Sequence, residues 1–160
     1  MKKKNPIKKY ILYTVLLVLI ILIKGAVYSD ISVDDLKKEY ANTHSKFIEI
    51  DGMNVHYRDE GKGFPIVLIH GTASSLHTWN DWTKELAKNY RVIRMDLPAF
   101  GLTGANVSGD YSIKSYTQFL QAFLTKINVE KFYLAGNSLG GNIAWNYTAA
   151  YPEKVEKLVL

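Results

Sequence analysis

Residues 136–140 read Gly-Asn-Ser-Leu-Gly, and Gly141 follows directly. Gly-x-Ser-x-Gly suits nucleophilic chemistry when the serine sits on a tight turn between a strand and a helix. Such a turn leaves no room for side chains two residues to either side of the serine, and Gly136 and Gly140 meet that need. Ser138 would then project above the sheet edge in a strained conformation. At the start of a helix, the dipole and unpaired amides favour developing negative charge. Three fixed positions in five are weak alone, but residues 132–135 read as a short buried strand and 142–151 as a helix. The plain alternative is a turn serine that caps a helix.

His70-Gly71-Thr72 ends an earlier aliphatic run. Beside an elbow of this kind, the loop after a neighbouring strand supplies one oxyanion-hole N–H. The expected donors are the backbone amides of Thr72 and Leu139, with Gly136, Gly140, His70 and Gly71 supporting the elbow and loop. His70 invites a reading as catalytic base. The usual chain order puts that histidine after the serine, so His70 is expected to hold its loop by hydrogen bonds. Asp96 also precedes the serine and is expected to stabilise the Pro98-Ala99-Phe100-Gly101 turn. His44, His56 and His77 lack partners at ligand spacing, so no metal site is expected. Trp79 and Trp82 stand three apart, as core-packing residues or, for Trp79, as a wall of an acyl pocket.

The elements that must position these residues follow from periodicity. Residues 46–50 alternate apolar and polar, Asp51-Gly52 is a hairpin turn signal, and 54–60 reads as the partner strand. Residues 66–69 are continuously aliphatic, as in a strand buried on both faces. Residues 76–88 and 112–127 read as helices, 90–95 as a strand, and a last strand begins at Val155. Strands alternating with helices imply an α/β architecture: a mostly parallel sheet with an antiparallel entrance hairpin and helices on both faces.

The chain of 160 residues holds no cysteine, which excludes disulfides, thiolate metal sites and cysteine nucleophiles. Its net charge of +5 is local. Lys2, Lys3, Lys4, Lys8, Lys9 and Lys24 supply six of the 20 positive charges, and all 15 acidic residues lie at or after Asp30. From residue 25 onward, 14 positive charges face 15 negative ones, so the body lacks the basic face that nucleic-acid binding requires. Residues 11–23 form an uncharged apolar run behind lysines, as in a secretory signal. Extended to Tyr28, the run could span a membrane with Lys24 snorkelling. Ala26-Val27-Tyr28-Ser29 is a poor cleavage site, so an uncleaved anchor is favoured over a secreted, cleaved form. The lysines would then be cytoplasmic, residues 10–28 would contact the membrane, and the remainder would be extracytoplasmic.

His70-Gly71, Asp96-Leu97-Pro98-x-x-Gly101 and Gly-Asn-Ser-Leu-Gly-Gly at 136–141 together resemble the α/β-hydrolase superfamily. The likeness is to its serine branch near epoxide-hydrolase-like, haloperoxidase-like and C–C-bond hydrolases. Tyr151-Pro152, Val155 and Leu158-Val159-Leu160 resemble the family's helix-to-strand junction, so the likeness covers about residues 46–160. Ala99 stands where the family usually has glycine. A serine at the elbow departs from haloalkane dehalogenases and epoxide hydrolases, whose nucleophile is aspartate. The resemblance implies a serine hydrolase that forms an acyl-enzyme on Ser138 from a small ester-like substrate, with no organic cofactor. C–C bond hydrolysis or perhydrolysis, and a catalytically inactive binding or anchored protein, are the alternatives. It also implies a cap domain, a triad acid and a triad histidine after Val155. None lies within these residues, so the chain is expected to be the N-terminal part of a longer protein and inactive by itself. The expected plan is a signal anchor at 1–28, a linker at 29–44 and an incomplete hydrolase domain at 45–160.

Overall fold

The computed structural model describes residues 6–26 and 31–160. Lys2, Lys3, Lys4, Val27, Tyr28 and Ser29 lie outside the described residues, and with them the expected cleavage junction and the boundary at residue 28. The chain divides into two compact units, Met1–Ser32 and Val33–Leu160.

The first unit holds helix α1, Pro6–Ala26. Pro6 stands at the first helical position, where its missing N–H costs nothing. The helix is longer than the uncharged run because it takes in Lys8 and Lys9 at its start and Lys24 in its last turn. Its 21 residues, at about 1.5 Å each, match the ~30 Å hydrocarbon thickness of a bilayer. It is long and apolar enough to cross a membrane, and a signal sequence would pass the same test.

The second unit opens with helix α2, Val33–Tyr40, inside the stretch expected as a linker. Six strands follow: β1 (Lys46–Ile50), β2 (Met53–Glu60), β3 (Pro65–Ile69), β4 (Arg91–Met95), β5 (Phe132–Gly136) and β6 (Val155–Val159). They form one sheet in the order β1-β2-β4-β3-β5-β6. The β1–β2 and β2–β4 pairs are antiparallel, and β4–β3, β3–β5 and β5–β6 are parallel. The β1–β2 turn has positive φ at both Asp51 and Gly52, the combination that matches the twist of a tight hairpin.

The aliphatic run of β3 is buried on both faces. Val67 and Ile69 belong to the main core with helix α4 (Ile113–Lys126) and helix α5 (Leu139–Ala150). Ile66 and Leu68 face a second, smaller cluster with Trp79 and Val92. Ser112 caps α4 by accepting from the Ser115 amide at 3.2 Å, and Tyr116, Phe119, Leu120, Phe123 and Leu124 form the buried stripe of that helix.

Two elements differ from expectation. Residues 76–88 are not one helix: a 3-10 turn at Leu76–Trp79 precedes helix α3, Asn80–Leu86. The sheet dictates that first turn. The Leu76 amide donates to Asp96 Oδ1 at 2.7 Å, and the Leu76 carbonyl accepts from Arg94 Nη1 at 3.1 Å. The second difference is that α5 starts at Leu139 rather than at 142, because the serine turn leads directly into the helix.

Ala99 has φ +74°, in the left-handed region where glycine is at ease, and its amide bonds the Gly104 carbonyl at 2.6 Å. Relief of that strain is worth ~1–2 kcal/mol, and the extra freedom of an unfolded glycine offsets ~0.5–1 kcal/mol. Ala99→Gly is therefore expected to leave stability unchanged or raise it by up to about 1 kcal/mol, whereas Ala99→Val should lose roughly 1–3 kcal/mol. Urea unfolding midpoints measure both.

Candidate functional site

Ser138 adopts φ +55°, ψ −116° between β5 and α5. A non-glycine residue in that region costs ~1–3 kcal/mol and persists only where its surroundings over-determine it. Here three glycines do so. A Cβ on Gly136 would overlap the Gly140 carbonyl, and one on Gly140 would overlap the Ile69 carbonyl. A Cβ on Gly71 would stand 3.2 Å from the Ser138 Cβ. The Asn137 amide donates to the Ile69 carbonyl at 3.1 Å, and the Gly140 amide to the Asn137 carbonyl at 2.9 Å. The elbow and the His70-Gly71-Thr72 loop are thus packed backbone to backbone at the ends of two parallel neighbours, β5 and β3.

The Ser138 side chain is exposed and borders a cleft of about 350 Å³. Thr78, Trp79, Trp82 and Asn137 line it with Ser138. The two indoles, one buried and one exposed, meet edge to face at 5.8 Å. Trp79 is in the 3-10 turn and Trp82 in α3, rather than both on one helix. Leu139 is the first residue of α5, so its amide has no carbonyl one turn back within the helix. Among the described residues, neither the Leu139 nor the Thr72 amide donates to a protein acceptor.

His70 is fully buried, and both ring nitrogens are occupied. The Leu97 amide donates to Nε2 at 3.0 Å, so Nδ1 carries the proton and donates to the Gly71 carbonyl at 2.8 Å. The ring is a neutral strut between the loop after β3 and the loop after β4. Burial lowers its pKa, against the smaller pull of the Gly71 carbonyl and Asp96.

Asp96 does more than brace the turn that follows it. Oδ1 accepts from the Leu76 amide, and Oδ2 accepts from the Leu102 amide and His56 Nδ1, both at 2.8 Å. His56 Nε2 in turn meets Ser45 Oγ at 2.9 Å. Burial alone would raise the Asp96 pKa. The hydrogen bonds from His56, Leu76 and Leu102 outweigh it and hold the carboxyl below its ordinary range. The pairing of His56 with Asp96 escapes sequence reading, since 40 residues separate them. Only the alternation of β2, which sets His56, Arg58 and Glu60 on one face, hints at a polar layer there. His77 accepts from Arg58 Nη2 at 3.0 Å, and His44 lies 3.8 Å from Glu60. Each of the four histidines is therefore engaged by groups other than Ser138. Among the described residues no cluster of metal-ligating side chains occurs.

The α/β hydrolase fold family matches residues 65–160. The chain belongs to the α/β-hydrolase family. This α/β-hydrolase chain is 34% identical over 112 residues to a 2-hydroxymuconate semialdehyde hydrolase of Pseudomonas sp. (strain CF600), covering 68% of the chain and 40% of that protein. The solved meta-cleavage product hydrolase of Pseudomonas fluorescens IP01 is 32% identical with a TM-score of 0.69, over 74% of the chain and 45% of its own. A solved membrane phospholipase A, a bacterial virulence factor, is 26% identical with a TM-score of 0.71, over 95% of the chain and 51% of its own. The chain spans less than half the length of the curated relatives it matches.

Two outcomes are expected. Gly140→Ala should destabilise the protein by about 2–3 kcal/mol or more, read from urea unfolding, because its methyl meets backbone that cannot move aside. Buried His70 and half-buried His77 should make stability fall in mild acid. Burial lowers the pKa of both His70 and His77 from 6.5, so as pH drops below that value the unfolded chain takes up protons first. Stability should therefore decline below about pH 6.5 in unfolding titrations; a flat profile between pH 7.5 and 5.5 would count against neutral struts.

Proposed function

We propose that the chain is the nucleophile-bearing part of a serine hydrolase acting on a small carbonyl substrate. Ser138 Oγ gives its proton to a general base and attacks the carbonyl carbon; the ester C–O bond breaks, the alcohol leaves with that proton, and water then hydrolyses the acyl-enzyme to the acid and free Ser138. The Thr72 and Leu139 amides hold the tetrahedral oxyanion, each worth roughly 3 kcal/mol of transition-state stabilisation. The observation that carries this reading is Ser138 at positive φ, between a buried strand and a helix N-terminus, at the mouth of a cleft. A general base and its orienting acid are needed as well, and none of the four histidines described above serves.

The leading substrate class is an ester-like carbonyl. C–C bond hydrolysis is the second reading, supported by relatives named as hydrolases of 2-hydroxymuconate semialdehyde and 2-hydroxy-6-oxo-2,4-heptadienoate. We also propose that α1 is an uncleaved membrane anchor with the hydrolase unit on the extracytoplasmic side. The length of α1, the lysines before it and the likeness of 95% of the chain to a membrane phospholipase A support this.

For the protein expressed from its complete coding sequence, turnover of p-nitrophenyl acetate is expected, and Ser138→Ala should lower kcat at least about 10³-fold. Turnover of a vinylogous diketone with none of the ester would transfer the proposal to C–C hydrolysis. Activity retained in Ser138→Ala would contradict both. The protein should stay in the membrane pellet after an alkaline carbonate wash, with its N-terminal lysines intact by sequencing. A soluble product that has lost residues before Ser29 would mark a cleaved signal instead.

A further inference from the structure

A second cavity, of about 510 Å³, lies beside the sheet on the face that carries α3. Its floor is a pair of arginines. Arg58 on β2 and Arg94 on β4 are direct cross-strand partners, so their side chains leave the same face of the sheet side by side. Both are buried, at 5% and 2% exposure, and like charges directly opposite each other repel.

Among the described residues, only one of the two guanidinium groups has a direct ion pair; Glu60 and Asp96 act on Arg58 from farther away. Arg94 Nη2 donates to Glu60 Oε1 at 2.7 Å, and Nη1 donates to Asn80 Oδ1 at 2.6 Å. Arg58 has no carboxylate within 4.0 Å among the described residues. Its Nη2 donates to the Tyr40 carbonyl at 3.2 Å and to His77 Nε2 at 3.0 Å, both neutral acceptors. The Nε of each guanidinium is buried without an acceptor. The cavity wall adds Lys84 and Asp81, which pair with each other at 2.6 Å. Among the lining residues, Arg58, Arg94 and Lys84 stand against Glu60 and Asp81, and Asp96, outside the lining, also acts on Arg58.

A buried guanidinium without a hydrogen-bonded anion is costly, and its natural complement is an oxyanion. We propose that the Arg58–Arg94 pocket binds an oxyanion, the phosphate or carboxylate group of a small ligand, at a site distinct from the Ser138 cleft. Asn42 and Thr78 supply neutral hydrogen-bonding groups on its wall. Thr78 borders both cavities, so the occupant rests against the turn that carries Trp79.

The test titrates the intact protein with sodium phosphate, sodium acetate or sodium chloride at constant ionic strength, following phosphate by ³¹P line width and the protein by Tm. Saturable binding of phosphate or acetate is expected, with chloride inert, and comparison of those two arms identifies the oxyanion. Arg58→Gln should weaken it at least tenfold. Lys84→Glu, on the exposed face of α3, lowers the lining charge by two units and should weaken it to a similar degree. Lys88→Gln, outside the pocket, should leave it unchanged. If Arg58→Gln does not fold, Lys84→Glu decides alone. Binding that never saturates, or that survives Lys84→Glu unchanged, overturns the proposal.

Discussion

The close approach of three backbone segments around Ser138 is the constraint on which the rest of the site depends. Gly136, Gly140 and Gly71 let the end of β5, the start of α5 and the loop after β3 touch without side chains between them. The serine has no relaxed conformation available there and takes φ +55°. The contact exists only because β3 and β5 are parallel neighbours with Ile69 opposite Gly136. That register requires the right-handed crossovers that carry α3 and α4 around the sheet. Strain at one residue is thus sustained by the packing of the whole unit, which is how such a strained serine persists in a marginally stable protein.

A buried polar layer fixes the neighbouring loops. Asp96 gathers the 3-10 turn through Leu76, the loop after β4 through Leu102, and the β2 face through His56. His70 links that same loop, through Leu97, to Gly71 beside the serine. Each donor in this layer has an acceptor, which makes its burial affordable in a low-dielectric interior. The layer therefore transmits position: the wall of the cleft, the glycine facing Ser138 and the end of β4 are held by shared hydrogen bonds. The Nε atoms of Arg58 and Arg94 interrupt this pattern of satisfied groups, which is why the cavity beside them stands out.

The parts of this architecture legible from sequence are those with local causes. Asp51-Gly52 announces its hairpin because both residues tolerate positive φ. The aliphatic run of β3 announces burial on two faces, and the glycines around Ser138 announce a turn with no space for side chains. What stayed illegible has distant causes. The 3-10 turn at Leu76–Trp79 exists because Asp96 and Arg94 grip Leu76 from another strand. The Arg58–Arg94 pair depends on a β2–β4 register that no short window contains. Helix α5 begins at Leu139, directly after Ser138, whose side chain makes no capping bond, so its boundary falls earlier than the apolar pattern suggests.

On the proposed function, the geometry at Ser138 makes it a nucleophile. The most direct measurement treats the protein, expressed from its complete coding sequence, with a fluorophosphonate and locates the adduct by peptide mass spectrometry. One stoichiometric adduct is expected, on the peptide carrying Ser138, absent after heat denaturation. A folded protein that stays unlabelled, or that carries its adduct on another serine, would contradict it.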